Sequence, residues 1–157
     1  MNEKLVSVLE KYDPESWLKT MPAYKQQMVA DMYATLGDYE KVAQEWLCVK
    51  SSNTAPFGAS SPQTPKLDLI LDELEAFLRG DSKYKTEFAT IVADKNIVQY
   101  SIVALISEKI ASTVGTAAVF ISPIIGIILF TAVKMGINAW LKSREEKRSL
   151  DNNLPKL

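Results

Sequence analysis

The chain has 157 residues, of which 47% are apolar and 24% charged, a balance typical of one folded domain with an apolar core. Its net charge is −1, and the six basic and three acidic residues from 134 to 157 give a basic excess of three. So small an excess excludes the extended basic surface of a nucleic-acid-binding protein, and we expect no nucleic-acid partner.

The residue types needed for common catalytic and metal chemistry are scarce. The chain has no histidine, which removes the commonest acid–base group near neutral pH and the commonest nitrogen ligand for metals. The single cysteine, Cys48, cannot form an internal disulfide, and we interpret it as a buried or bystander thiol. We therefore expect no catalytic residue, no metal site and no cofactor, and we predict that the protein is not an enzyme.

The N-terminus is charged and amphipathic, unlike a secretory signal peptide. Together with the single cysteine, it predicts a cytoplasmic protein, either free or at the inner face of a membrane.

Residues 1–50 have the pattern of an N-terminal helical module made of short helices with capping residues between them. Asp13 and Pro14 end the first predicted helix and begin a second. Pro22 begins another helix, and Gly37 supplies the left-handed residue that ends it. A further helix follows and ends near Lys50, so residues 22–50 are predicted to form an antiparallel helical hairpin.

The turn of this hairpin, from Leu36 to Val42, resembles the turn between the two helices of a tetratricopeptide repeat. No second copy follows at the period of about 34 residues, and such repeats need about three copies to bury their faces. We therefore interpret residues 22–50 as a generic helical hairpin without a peptide-binding groove.

Residues 51–65 are rich in serine, threonine, proline and glycine and carry no charge, which predicts a linker. Phe57 is its one aromatic residue and the candidate for a contact with the protein surface. Thr64 and Pro65 are residue types that begin a helix, and they lead into the predicted C-terminal module, residues 66–150. Residues 151–157 form a tail.

The clearest amphipathic helix follows the linker and ends at Gly80, and another begins at Asp81 or Ser82. We place the acidic residues of the first helix on a solvated face rather than in a cation site, with three of the four opposite the apolar stripe. The apolar stripe is Leu67, Ile70, Leu71, Leu74, Phe77 and Leu78, and the acidic residues are Asp68, Asp72, Glu73 and Glu75.

Residues 97–140 form a predicted apolar hairpin, and the run 110–133 within it has no charge. This run exceeds the roughly 20 residues that span a bilayer. Gly115 and the pair Ser122–Pro123 interrupt it, so we predict a turn or short helix over 116–121. One long final helix is then expected to run from Pro123 to about Arg148.

Three environments account for an uncharged run of this length: the core of a soluble bundle, a bilayer, or an oligomer interface. The basic flank after the run favours the cytoplasmic side of a membrane, and so does the N-terminal region. A single span would place these two ends on opposite sides, whereas a re-entrant hairpin keeps both in the cytoplasm. Glu108 and Lys109, near the tip of that hairpin, would then need to pair or face water.

We predict an all-α helical bundle of about six to eight helices with a strongly apolar C-terminal hairpin. The expected function is a non-enzymatic, membrane-associated effector or adaptor whose hairpin engages lipid. The alternative is a soluble interaction or assembly subunit, with the apolar helix buried in its own core or in a homo-oligomer or other assembly. The two differ in whether the chain's own helices cover the run 110–133. The predicted membrane or partner contacts are Ile121, Ile124, Ile125, Ile127, Ile128, Leu129, Phe130, Trp140, Lys142 and Arg144.

Overall fold

The computed structural model describes residues 2–54 and 67–153, with side chains over 3–48 and 67–150. The described chain is all-helical, which confirms the predicted fold class. Two 3-10 helices, Pro14–Thr20 and Ser82–Tyr84, accompany eight α-helices in these ranges. The α-helices are α1 (Asn2–Glu10), α2 (Ala23–Leu36), α3 (Tyr39–Thr54), α4 (Leu67–Arg79), α5 (Lys85–Ala93), α6 (Gln99–Val114), α7 (Ala118–Met135) and α8 (Ile137–Asn153).

Helix α7 lies at the centre of the bundle. The 3-10 helix Pro14–Thr20 and helices α3, α6 and α8 pack against it. Every residue from Pro123 to Phe130 is buried. Because this part of α7 is enclosed on all sides, it has no solvated face, which explains why its sequence is apolar all round.

The N-terminal helices take part in this enclosure. Helix α1 contacts α4 and α5, and α3 contacts both α4 and α7. Trp17 and Trp46 are among the largest fully buried side chains. Buried residues from both predicted modules therefore contribute to one hydrophobic core.

The predicted caps in the N-terminal region are present. The Asp13 carboxylate accepts a hydrogen bond from the Glu15 amide at 3.3 Å and begins the 3-10 helix Pro14–Thr20. Gly37, with a φ of +70°, ends α2, and the Asp38 carboxylate accepts from the Glu40 amide at 2.8 Å. Helices α2 and α3 are thus the two arms of the predicted hairpin.

The predicted linker begins later than expected, because α3 continues to Thr54. Its remaining residues, including Phe57, Thr64 and Pro65, lie outside the described part of the chain. Beyond it, α4 carries the predicted apolar stripe inward, and Gly80, with a φ of +84°, follows its last residue.

Two predicted helix boundaries in the apolar hairpin are wrong. Helix α7 begins at Ala118 and continues through Pro123, while Ser122 donates its hydroxyl back to the Ala118 carbonyl at 3.0 Å instead of capping a new helix. The predicted final helix is also divided, because Gly136, with a φ of +96°, separates α7 from α8. A proline in the second turn removes one amide donor, and the packing around α7 outweighs that loss.

Candidate functional site

A cleft of about 410 Å³ opens beside α7, between the start of α3 and α8. This volume falls in the range of roughly 300–1,000 Å³ that is usual for ligand sites. The buried side chains of Leu71 and Ile128 form its inner surface. Ser143, Arg144 and Lys147 of α8 form one side, and residues of the α2–α3 turn form the other.

Aromatic rings make up the side of the cleft formed by the α2–α3 turn. The rings of Tyr33 and Tyr39 stack with their centroids 4.1 Å apart, and Tyr39 meets Phe130 of α7 edge-to-face at 4.8 Å. Burial raises the pKa of the Tyr39 phenol, and the neighbouring Tyr33 adds to the effect. These contacts connect the turn directly to the central helix.

On the opposite side of the cleft, arginines of α8 bind a buried carboxylate, that of Glu75. Glu75 of α4 is 3% exposed and accepts hydrogen bonds from three arginines. Arg148 binds both of its oxygens, at 2.7 and 2.6 Å, while Arg79 approaches at 2.9 Å and Arg144 at 3.3 Å. We call Glu75 and these arginines the Glu75 cluster.

The Glu75 cluster connects α4 to α8. Arg144 also binds Asp72 at 2.6 Å, and its guanidinium lies 6.0 Å from the centre of the Trp140 ring. Arg79 donates to the Leu141 carbonyl of α8 at 3.1 Å. Side chains from both helices therefore fix the position of α8 relative to α4.

The cluster favours the ionised form of Glu75. Burial opposes ionisation, but hydrogen bonds from Arg148 and Arg79 outweigh it and hold the pKa of the Glu75 carboxyl below its ordinary value. Glu75 is therefore an anion at neutral pH, and its arginine partners compensate its charge.

The prediction that the acidic residues of α4 lie on a solvated face is wrong for Glu75, which is buried. Glu75 lies four residues after Leu71 and three before Leu78, which places it at the edge of the apolar stripe. The sequence feature that could have indicated its burial lies in α8. Arg144 and Arg148 are four residues apart, so they lie on one helix face and can bind the same carboxylate. Glu73 is paired as well, accepting from the Tyr84 hydroxyl at 2.6 Å and from Lys83 at 2.7 Å.

The ten predicted contact residues differ in their accessibility. Lys142 is exposed, whereas Arg144 is nine-tenths buried and paired with carboxylates. The cleft brings together Ile128, Trp140 and Arg144. The apolar members face the protein interior, so lipid or a partner could reach most of them only after the helices separate. They are Ile121, Ile124, Ile125, Ile127, Ile128, Leu129, Phe130 and Trp140.

Helix α7 is long and apolar enough to cross a bilayer. Its 18 residues have a mean hydropathy of 2.1, and 61% of them are buried within the protein. The core helix of a soluble protein meets the same length and hydropathy criteria. Length and hydropathy therefore do not distinguish a core helix from a membrane span.

The side chain of Cys48 is exposed on α3, so of the two predicted alternatives the buried thiol is wrong and the bystander thiol stays a prediction. Gln44 donates an amide hydrogen to its sulfur at 3.6 Å. Among the residues that the structure describes, no group of three or more cysteine, aspartate or glutamate side chains could hold a metal ion. Comparison of the chain with protein-family models, curated proteins and solved structures found no match.

Proposed function

We propose that this protein is a non-enzymatic, soluble helical interaction or assembly subunit whose apolar helix is the centre of its own core. The observation that carries the proposal is the enclosure of Pro123–Phe130 by the chain's own helices. Burial of an aliphatic side chain contributes about 1.5–3 kcal/mol to the stability of the folded protein, so in water the enclosed arrangement is strongly favoured. The apolar run then needs no bilayer to account for its composition.

Exposed apolar side chains outside the core support a role in protein contacts. A second groove, of about 190 Å³, lies between the start of α2, α6 and α7. Tyr100 and Val119 line it and are 69% and 71% exposed. Aromatic residues beside a small apolar groove are typical of the central part of a protein interface.

The first experiment measures the behaviour of the full chain in water. We expect protein purified without detergent to be monodisperse by size-exclusion chromatography with light scattering. We also expect it to remain in the supernatant after sedimentation with vesicles of phosphatidylcholine and phosphatidylserine. Aggregation without detergent, or co-sedimentation with vesicles, would contradict the proposal.

A second candidate function is insertion of the apolar hairpin into a membrane after the bundle opens. The observation that favours it is the continuity of α7, because 18 residues at 1.5 Å each give about 27 Å, close to the hydrocarbon thickness of about 30 Å. The opened protein would then act as the membrane-associated effector or adaptor expected from the sequence.

Val119 offers a way to test insertion without disturbing the core. It is exposed at the start of α7, so Val119→Asp should leave thermal unfolding nearly unchanged. An aspartate is costly in a membrane segment, because its short side chain cannot extend to the headgroups as lysine does. Vesicle binding at pH 7 that is resistant to carbonate and lost in Val119→Asp would support insertion. Absence of such binding in the original protein would exclude it under these conditions.

A further inference from the structure

The two halves of α8 are attached to the protein in different ways. In the first half, Ile137, Trp140 and Leu141 are buried in the hydrophobic core. After Leu141, the described side chains of α8 include no buried apolar residue, and Leu150 is 68% exposed. The second half therefore lacks the apolar contacts that hold the other helices.

Ion pairs attach the second half instead. Arg144 and Arg148 reach Glu75, and Arg144 also reaches Asp72. Lys147, three residues after Arg144 on the same face of the helix, approaches Glu40 of α3 at 3.7 Å. Both side chains of that last pair are half exposed, and such pairs contribute little, so Glu75 is the main attachment point.

We infer that residues 142–153 form a gate beside the cleft and that the Glu75 cluster locks this gate closed. Ser143, Arg144 and Lys147 lie on the gate and form one side of the cleft. Movement of the gate away from α4 would remove that side and expose Leu71 and Ile128 to solvent. The inference goes beyond the proposed function, because it concerns access to the cleft whatever the partner is.

The chemistry of the cluster explains why loss of one charge would open the gate. Glu75 compensates guanidinium groups from two positions on the gate and from Arg79 on its own helix. Asp72 faces the same arginines but contacts Arg144 alone among them, and Glu145 lies on the gate itself. Without the Glu75 charge, the gate would keep one strong pair to α4, and a short polar helical segment is not stable alone in water.

Hydrogen exchange of backbone amides tests the lock in the full chain. In Glu75→Gln, we expect residues 142–150 to exchange at least about tenfold faster than in the original protein and to lose most of their protection, while the amides of α6 and α7 still exchange far more slowly than those of the gate. Arg148→Gln should show the same pattern more weakly, because Arg79 and Arg144 still partner Glu75. The matched control Lys147→Gln removes a charge from the same helix turn and should leave exchange in the gate nearly unchanged.

The control distinguishes a lock at Glu75 from a general effect of charge on α8. Unchanged exchange of the gate in both Glu75→Gln and Arg148→Gln would overturn the inference. So would exchange of the gate as slow as that of α6 and α7, because that pattern shows that all three open only when the whole protein unfolds. Equal acceleration in Lys147→Gln would also overturn it.

A distance measurement gives a second readout that is independent of amide exchange. Spin labels at the exposed Cys48 and at Leu150→Cys would report the separation of α3 and the gate. When Glu75 is present, we expect one narrow distribution of the distance between the labels. In Glu75→Gln, we expect a broader distribution with a longer mean distance. An unchanged distribution would overturn the inference, and vesicle binding measured on the same variant tests the membrane candidate separately.

Discussion

Glu75 is a charged residue inside the protein, and its position depends on residues about seventy positions away in the sequence. Its partners Arg144 and Arg148 come from α8, so a helical-wheel argument based on α4 alone places it in solvent. Three guanidinium groups supply the hydrogen bonds that a buried carboxylate needs, and they offset much of its desolvation cost. The residue is therefore both a contact between two helices and a source of pH-dependent stability.

We predict that Glu75→Gln lowers the free energy of unfolding at pH 7 by roughly 2–4 kcal/mol, allowing for the partial exposure of Arg79 and Arg148. The pKa of Glu75 is lower in the folded than in the unfolded protein, so its contribution is complete above the ordinary pKa of about 4.5. That contribution is lost as the pH falls through the folded pKa.

The measurement is a series of urea unfolding curves for both proteins between pH 7 and pH 3. The difference in unfolding free energy between them should shrink on the acid side of this range. A difference that stays constant with pH would show that the Gln variant loses packing rather than charge.

Gly126 lies where α7 packs closely against the 3-10 helix Pro14–Thr20. A Cβ atom at this position would lie 3.1 Å from the Trp17 carbonyl oxygen and 3.3 Å from the Thr20 hydroxyl. We predict that Gly126→Val lowers the free energy of unfolding by about 1–3 kcal/mol, because a backbone atom must move to accommodate it. Val119→Ala, at an exposed position of the same helix, is the control and should change thermal unfolding little. Stabilisation by Gly126→Val would show that the 3-10 helix packs differently.

At the scale of elements, Pro123 shows how packing overrides a local helix signal. Ser-Pro is a good start for a helix, but α7 begins five residues earlier and encloses the proline. The first turns of α7 remain helical because the neighbouring helices cover them, even though Pro123 cannot donate a hydrogen bond.

We predict that Pro123→Ala raises the free energy of unfolding by about 1.5 kcal/mol. An internal proline costs about 3 kcal/mol relative to alanine, while loss of its buried ring carbons offsets about half of that gain. Thermal unfolding followed by circular dichroism is a sufficient measurement. A marked decrease in melting temperature would mean that the proline ring fills space that alanine leaves empty.

At the scale of the whole molecule, α7 joins the N-terminal and C-terminal helices into one hydrophobic core. Helix α3 and the 3-10 helix Pro14–Thr20, which belong to the N-terminal part of the chain, pack on α7. Helices α6 and α8 of the C-terminal part pack on it as well. Each of these surrounding helices therefore buries part of its apolar surface against the same element. Their stability should depend on the presence of α7.

We predict that a chain truncated after Asn96 loses cooperative thermal unfolding, because it lacks the helix that its remaining elements enclose. A chain truncated after Leu150 loses the last three residues of α8 and the residues after them but none of the described buried side chains, and it should melt like the full protein. Circular dichroism measures the thermal unfolding of both truncated chains, and the dispersion of proton NMR chemical shifts shows whether each has a packed core. A sharp unfolding transition in the chain ending at Asn96 would show that the N-terminal helices form a core of their own.

The sequence alone determined the all-helical class, the hairpin of α2 and α3, the buried stripe of α4 and the unusual apolar character of α7. These features depend on local signals: caps, glycine at left-handed positions and the spacing of apolar residues. Tertiary structure decided what surrounds α7, where α7 begins and ends, and which charges are buried. An apolar run has the same composition in a core and in a bilayer, and an ion pair depends on a partner distant in sequence, so only the packed chain distinguishes these cases.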